Sequence, residues 1–501
     1  MLSTTTYTSL VTDLNRIAQL EHTLGLLGWD EQVNLPSGSA ESSASQQSAL
    51  ADIIHREATR PQIGEWLNQL ESLSGELTHE QQIVVREARR DYDQGVKIPA
   101  EFIARRATLH SNAYHAWVEA RAESNFAKYA PFLSANLEMA KEQAGYLGKS
   151  DSEAYDYFID LHDPGLDAAF VEKQFAELKA ELVPLVQQIT SAPIKGDSHL
   201  LKGFPVDKQE QFLRETVAAI GFDFTKGRID RAVHPFCGGH TGDTRLTTRF
   251  DENNPLDSWS SAMHETGHGL YQQGLPANHP GTALGKHVGM AVHESQSRLW
   301  ENQVGRSRAY WQYWEPRYRT LFPEQLKAIT SDQLYLAINT VEISPIRVDA
   351  DEVTYNLHIL LRFEIEKLLF QGKLAVKDLP SAWNQLSKEI LGYTPTSDKQ
   401  GCLQDVHWAG GSFGYFPSYC LGNMMAAQLW YTVRKAIPDL DSQIAHNDFQ
   451  PLLKWLRTNI HVHGRREDTR AITRRVTGEE LGPQSLIRYL KERYLPLYIK
   501  S

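Results

Sequence analysis

The stretch Ala262-Met263-His264-Glu265-Thr266-Gly267-His268-Gly269-Leu270 decides how the rest of the chain is read, because it contains the pattern H-E-x-x-H. On a helix, His264 and His268 lie one turn apart on the same face, the spacing two imidazoles need to hold one Zn²⁺. Glu265 then projects beside them, close enough to take a proton from a water at the metal. With 19 histidines among 501 residues, chance gives about 0.05 such matches in the chain.

On the N-terminal side of the motif, residues 228 to 250 hold Gly238, Gly239 and Gly242 between two segments with β-branched and aromatic residues. That pattern predicts a small hairpin or short strands leading into the metal helix, with Asp257 or Ser258 as its cap. On the C-terminal side, "GLPANHPG" predicts a turn, then a long helix from about Leu284 through Gln303. A strongly apolar helix follows from about Asp351 to Phe370, and the last third is helical with a Gly-rich interruption at 407 to 423.

Further upstream, to about residue 190, apolar residues recur at three and four. Leu10, Leu14, Ile17, Leu20 and Leu24 mark a first helix, which "LGWDEQVNLPSGSA" breaks. A second runs through Ala49, Ile53, Ile54 and Ala58 to the pre-proline Arg60. Thr78 with Gln81 is a capping-box signal for a third, ending near Gly95. Pro99 opens a long helix to about Glu123, another follows Pro131, and Asp163-Pro164-Gly165 turns the chain into a helix over 167–190. The expected fold is mainly α: a large helical body with a central cleft and a small β hairpin or sheet beside the HExxH helix. No linker or low-complexity tract divides it, so residues 1–501 read as one catalytic domain, with an N-terminal helical part to about 190 and a zinc-site part over about 228–423.

Composition narrows the function classes. With 41% hydrophobic and 23% charged residues the chain is ordinary for a globular protein. A formal charge of −11 without a sustained Lys/Arg cluster argues against nucleic acid or an anionic membrane as partner. Cys237, Cys402 and Cys420 are too few and too far apart for a disulfide framework or a cysteine zinc site. No basic-then-apolar leader opens the sequence and no apolar run approaches membrane-spanning length, which points to the cytoplasm.

A catalytic zinc wants three protein ligands and an open position for water. In "HVGMAVHESQSRLWEN", Glu294 follows His264 by 30 residues (294 − 264), a gap that suits a helix, a turn and an antiparallel return. Glu294 is the expected third ligand. His293 points about 100° away around the helix and is left a supporting or substrate role.

Several separated blocks together resemble the carboxypeptidase Taq family of zinc metallocarboxypeptidases. His234-Pro235-Phe236 is similar to its HPF block and Asp243-Thr244-Arg245-Leu246-Thr247 to its DxRxT block. His264 to His268 matches the zinc motif, and His293-Glu294-Ser295-Gln296 its HESQ block. Ile346-Arg347-Val348-Asp349-Ala350-Asp351 and Gly401-Cys402-Leu403-Gln404-Asp405-Val406-His407-Trp408 are similar to its IRxxAD and GxxQDxHW blocks. "WDEQVNLP" from Trp29 and "GYFPSY" from Gly414 extend the likeness over nearly the whole chain. The resemblance implies Glu294 as third ligand, a mostly helical cleft fold, a homodimer, and removal of C-terminal amino acids with broad specificity and poor cleavage next to proline.

Peptide hydrolysis assigns the remaining roles. Zinc lowers the pKa of its water to about 7 and polarises the scissile carbonyl, while Glu265 moves the proton to the leaving amine. A second oxyanion donor must face the intermediate, and His407, Tyr415 and Tyr419 on the Gly-rich loop are candidates, with Tyr419 and His407 favoured. A free terminal carboxylate is best gripped by an arginine. The resemblance points to Arg347, whose bland alternative is an ion pair with Asp349 or Asp351; Arg245 is the rival grip. Asp243, Asp351 and Gln404 are left to orient ligands or loops. Co²⁺ or Mn²⁺ would also suit a His₂Glu site. Two other functions stay open at this point: a zinc endo-oligopeptidase or dipeptidyl carboxypeptidase, and a non-catalytic peptide-binding protein with a zinc-stabilised fold. The last is disfavoured because a structural site closes its fourth position with protein.

Overall fold

Proline and side-chain caps set most helix limits, and tertiary packing moves the others. The computed structural model describes residues 2–499. Its first helix, Leu2–Val33, runs past the expected break. "LGWDEQV" carries no proline, and Trp29 is buried with Arg245 and Arg228 over its ring at 4.2 and 4.8 Å, so packing keeps the turn helical. The chain leaves the helix only ahead of Pro36, which disfavours helical backbone at Leu35. The capping box at Thr78 and Gln81 is formed and opens His79–Lys97.

Pro131 does not start its helix. Asn125 caps Phe126–Tyr146 by accepting from the Ala127 N–H, and Pro131 sits inside, forgoing one helical bond. Asp167 caps Ala168–Thr190 as the turn at Asp163 predicts.

The glycine-rich segment forms three strands rather than a lone hairpin. β2 (Phe236–His240) and β3 (Asp243–Thr248) are antiparallel, and β1 (Gly227–Arg231) adds parallel to β3, giving the order β1-β3-β2. Gly239 has φ +95°, and a Cβ there would lie 2.0 Å from the Asp243 carbonyl oxygen, so the tight turn needs glycine.

The sheet feeds the motif helix, Pro255–Gly274, whose cap is Asn254 with Pro255 at the first position. Neither Asp257 nor Ser258 serves as cap. Arg249 engages the Asp257 carboxylate at 2.7 Å, and the Ser258 hydroxyl donates to Gln209 at 2.7 Å. The return helix starts later than expected, at Met290, and runs to Arg298 before widening into a π-helix over Leu299–Gly305. Residues 283–285 are a separate 3₁₀ turn. The apolar helix is Tyr355–Phe370, because Asp351 accepts the Val353 and Thr354 N–H groups and delays entry. A last central helix, Phe416–Ala436, carries Tyr419.

Helices make up 70% of the chain beside this one small sheet, so the fold is mainly α. One hydrophobic core runs from Ala113 to Tyr498, and the motif, return and tyrosine-bearing helices cross it. The helices of the first hundred residues pack on a smaller core, Leu10 to Ala88, and Tyr7 and Leu14 border both it and a separate cluster of Ile83, Val84, Ala283 and Leu284. No helix among the described residues is long and apolar enough to cross a membrane.

Two glycines let three central helices approach closely. A Cβ on Gly267 would lie 2.5 Å from Ser297 Cα and 2.6 Å from the Gln296 carbonyl oxygen; one on Gly422 would lie 2.5 Å from Glu294 Cβ. Gly267→Ala is therefore expected to lower stability by about 1–3 kcal/mol through overpacking. A urea-unfolding midpoint equal to that of the unaltered chain would contradict this account of the packing.

Candidate active site

The motif helix buries Met263, Thr266 and Leu270 in the core and leaves His264 and His268 half-buried toward the return helix. His264 Nε2 and His268 Nε2 lie 3.5 and 3.4 Å from one oxygen of Glu294. Donors at about 2.0–2.1 Å from a tetrahedral ion are separated by roughly 3.3 Å, so this donor set fits a divalent metal. The three residues form the only group of this kind found among the described residues.

Each donor is oriented from behind. His264 Nδ1 lies 2.9 Å from Glu301 Oε2 and therefore donates, leaving Nε2 free toward Glu294. His268 Nδ1 meets His293 Nδ1. Burial, helped by His268, holds His293 well below the usual imidazole range, and His268 would present Nε2 to a metal in the tautomer whose Nδ1–H donates to His293. Arg298 donates from Nε to Glu294 Oε1 at 2.6 Å and from Nη1 to Glu301 Oε2 at 3.1 Å. Burial alone would raise Glu294, but Arg298 and the two histidines outweigh it and keep the carboxyl far below its ordinary range. Glu265, 7% exposed, has no such cation, and burial raises its carboxyl above the ordinary value. A raised carboxyl is a stronger base.

A second cluster forms around Arg347. Its Nε and Nη2 reach Asp405 Oδ1 at 2.9 and 2.8 Å, and its Nη1 donates to the Tyr355 hydroxyl at 3.0 Å. The ion pair thus goes to Asp405 and not to Asp349 or Asp351. Asp351 is occupied with backbone, and Gln404 accepts the Arg347 N–H at 2.9 Å. Arg362 takes the other oxygen of Asp405. The Tyr419 ring lies 5.3 Å from the Arg347 guanidinium, and the Tyr419 hydroxyl is 3.5 Å from His407 Nε2. Tyr415 packs edge-on against Tyr419 at 5.1 Å. Burial lowers His407 to about 4 and pushes Tyr415 up to about 12, so the ring is neutral and the hydroxyl keeps its proton near pH 7. Tyr419 is shifted upward by burial as well.

The two clusters are joined. Arg298, which holds Glu294, also stacks on the Tyr355 ring at 4.5 Å, and Tyr355 receives Arg347. Arg245 takes no part in these contacts. It spends its guanidinium on Asp243 at 2.8 Å and on the Trp29 ring, tying the sheet to the first helix. Glu301, Arg298, Tyr355 and Asp405 went unpredicted from the sequence. The available signals were Arg298 one turn after Glu294, Glu301 seven residues after it, and the aspartate inside "GCLQDVHW".

A His₂Glu group that leaves room for a water, with a buried glutamate beside it, is the donor set of a metal-dependent hydrolase. The chain belongs to the carboxypeptidase Taq (M32) metallopeptidase family, whose model matches residues 9–494. It is 38% identical to carboxypeptidase 1 of Bacillus subtilis over 488 residues, 97% of each chain. Thermostable carboxypeptidase 1 of Thermus thermophilus is 39% identical over 504 residues, 98% of this chain and 99% of that one. The crystal structure of the M32 carboxypeptidase from Deinococcus radiodurans R1 superposes with TM-score 0.95 at 41% identity, covering 99% of both chains. The protein is a metallocarboxypeptidase, a peptide hydrolase that depends on a divalent metal.

Glu301 is expected to tune the metal site without belonging to it. Glu301→Gln should weaken divalent-metal affinity by about 10- to 100-fold, measured by competition with a chelator. Unchanged affinity would show that the contact to His264 is incidental.

Proposed function

We propose that the chain removes amino acids one at a time from the free C-terminus of peptides, with zinc at His264, His268 and Glu294. The observation that carries this is the buried Arg347, fixed by Asp405 and Tyr355 and linked through Arg298 to Glu294. Of five guanidinium N–H groups, three are engaged, which leaves others on Nη1 and Nη2 for a second carboxylate. An endo-acting enzyme has no use for such a grip, and the length of the released product separates single-residue from dipeptide release.

A bound zinc supplies Lewis acidity, lowering the pKa of water and polarising the scissile carbonyl; Co²⁺ or Mn²⁺ would substitute. Glu265 takes the proton of the attacking water and delivers it to the leaving amine, a task its raised carboxyl suits. Arg347 holds the substrate's terminal carboxylate and so sets which bond is cut. Tyr419, with neutral His407 beside its hydroxyl, donates to the developing oxyanion, and Tyr415 lines the same wall. Arg245, already paired, is the weaker choice for the grip. We further propose that residues 1–501 act as one catalytic domain, that the enzyme pairs as a homodimer, and that it works in the cytoplasm. Three unpaired cysteines and the family likeness support these last points.

Glu265→Gln is expected to lower kcat by about 10²- to 10⁴-fold while metal content stays unchanged. Full activity in that variant would remove Glu265 from the mechanism. Peptides with an amidated C-terminus should show kcat/KM reduced by about 10- to 100-fold relative to free acids. Equal rates on both would mean that Arg347 does not grip the terminal carboxylate.

A further inference from the structure

Asp163 is 2% exposed and lies outside both clusters just described. It ends the short helix Ala154–His162, where the chain turns sharply through Pro164 and Gly165. Its Oδ1 accepts from the Ala291 N–H at 2.8 Å and from the Thr469 hydroxyl at 3.3 Å; its Oδ2 accepts from the Ser418 hydroxyl at 2.6 Å. No cation pairs with it among the described residues.

The two main partners matter by their place in the fold. Ala291 is in the first turn of the return helix, three residues before Glu294, and its N–H has no acceptor within that helix. Ser418 is in the first turn of the next central helix, one residue before Tyr419 and three after Tyr415. A single carboxylate therefore spans the starts of the two helices that carry a metal ligand and the oxyanion donor, where both helix dipoles favour negative charge. Gly289 keeps the approach open, since a Cβ there would lie 2.6 Å from Asp163 Oδ1. The neighbouring His162 braces the same wall: its Nε2 donates to the Phe413 carbonyl at 3.1 Å, and its ring packs on Tyr415 at 4.9 Å.

We propose that Asp163 is a positioning residue, setting the separation between Glu294 and the hydroxyls of Tyr415 and Tyr419; this rests on the oxyanion role given above to Tyr419, with Tyr415 on the same wall. Transition-state stabilisation by a hydroxyl is lost over displacements of about 1 Å. Arg347 is fixed independently through Asp405, and Glu294 keeps Arg298 and Ser297, so neither substrate grip nor metal retention depends on Asp163. Its loss should thus fall on kcat and leave KM and metal content alone.

The test is a mutant cycle on the metal-loaded enzyme, combining Asp163→Ala with a Tyr415→Phe/Tyr419→Phe background. Asp163→Ala is expected to reduce kcat about 10-fold with KM and metal content within about two-fold, and to cost less than about two-fold in kcat once both tyrosines lack hydroxyls. Asp163→Asn should recover most of the loss, because its Oδ1 still accepts from Ala291. Ser418→Ala, which leaves the bond to Ala291 intact, serves if Asp163→Ala does not fold; it should show a smaller kcat loss with the same dependence on the tyrosines. A tyrosine variant with reduced kcat in which the Asp163 or Ser418 effect is undiminished overturns the positioning role alone. Full kcat in the tyrosine variant overturns the oxyanion role, and the positioning role with it.

Discussion

The carboxylate of Glu294 is 4% exposed and stays ionised only because Arg298 donates to it and two imidazoles face it. Taking an unpaired carboxylate out of water costs several kcal/mol, so these partners are a condition of the site's existence. Much of the surrounding architecture serves that arrangement. Gly267 and Gly422 let helices close on the return helix from two sides, and Glu301 shares Arg298 while turning His264 toward the metal position. The π segment that carries Glu301 is the kind of helical irregularity found at functional sites.

From Arg298 the same network extends outward. Its guanidinium stacks on Tyr355, whose hydroxyl receives Arg347, which is held in turn by Asp405, whose other oxygen takes Arg362. Glu294 and Arg347, the proposed metal ligand and carboxylate grip, are thus parts of one buried charge system. That coupling suits an exopeptidase, since the distance between the terminal carboxylate and the metal decides which bond is cut. The tyrosine wall is attached differently, through the neutral contacts of His162 and the clamp at Asp163.

Legibility in the sequence followed the range of the interactions. His264, His268 and Glu294 could be read because helical spacing and a 30-residue gap (294 − 264) constrain them locally. The mainly α body was legible for the same reason, since apolar periodicity and caps such as Thr78–Gln81 act within a few residues. Where two local signals competed, the structure chose by side-chain demand: Asn254-Pro255 opened the motif helix because Arg249 and Gln209 claim Asp257 and Ser258. Asn125 displaced Pro131 as a helix start in the same way. The pairing of Arg347 with Asp405 joins positions far apart in the chain, and no spacing rule distinguishes it from the nearer Asp349 or Asp351. Trp29 carried the first helix past its expected break for the same long-range reason, through contacts with a sheet two hundred residues away in sequence.

Mass spectrometry of a mixed pool of free-acid peptides incubated with the metal-loaded enzyme tests the central claim most directly. A ladder of products, each one residue shorter at the C-terminus, is the predicted result. Release of dipeptides, or fragments arising from internal cuts, would contradict it.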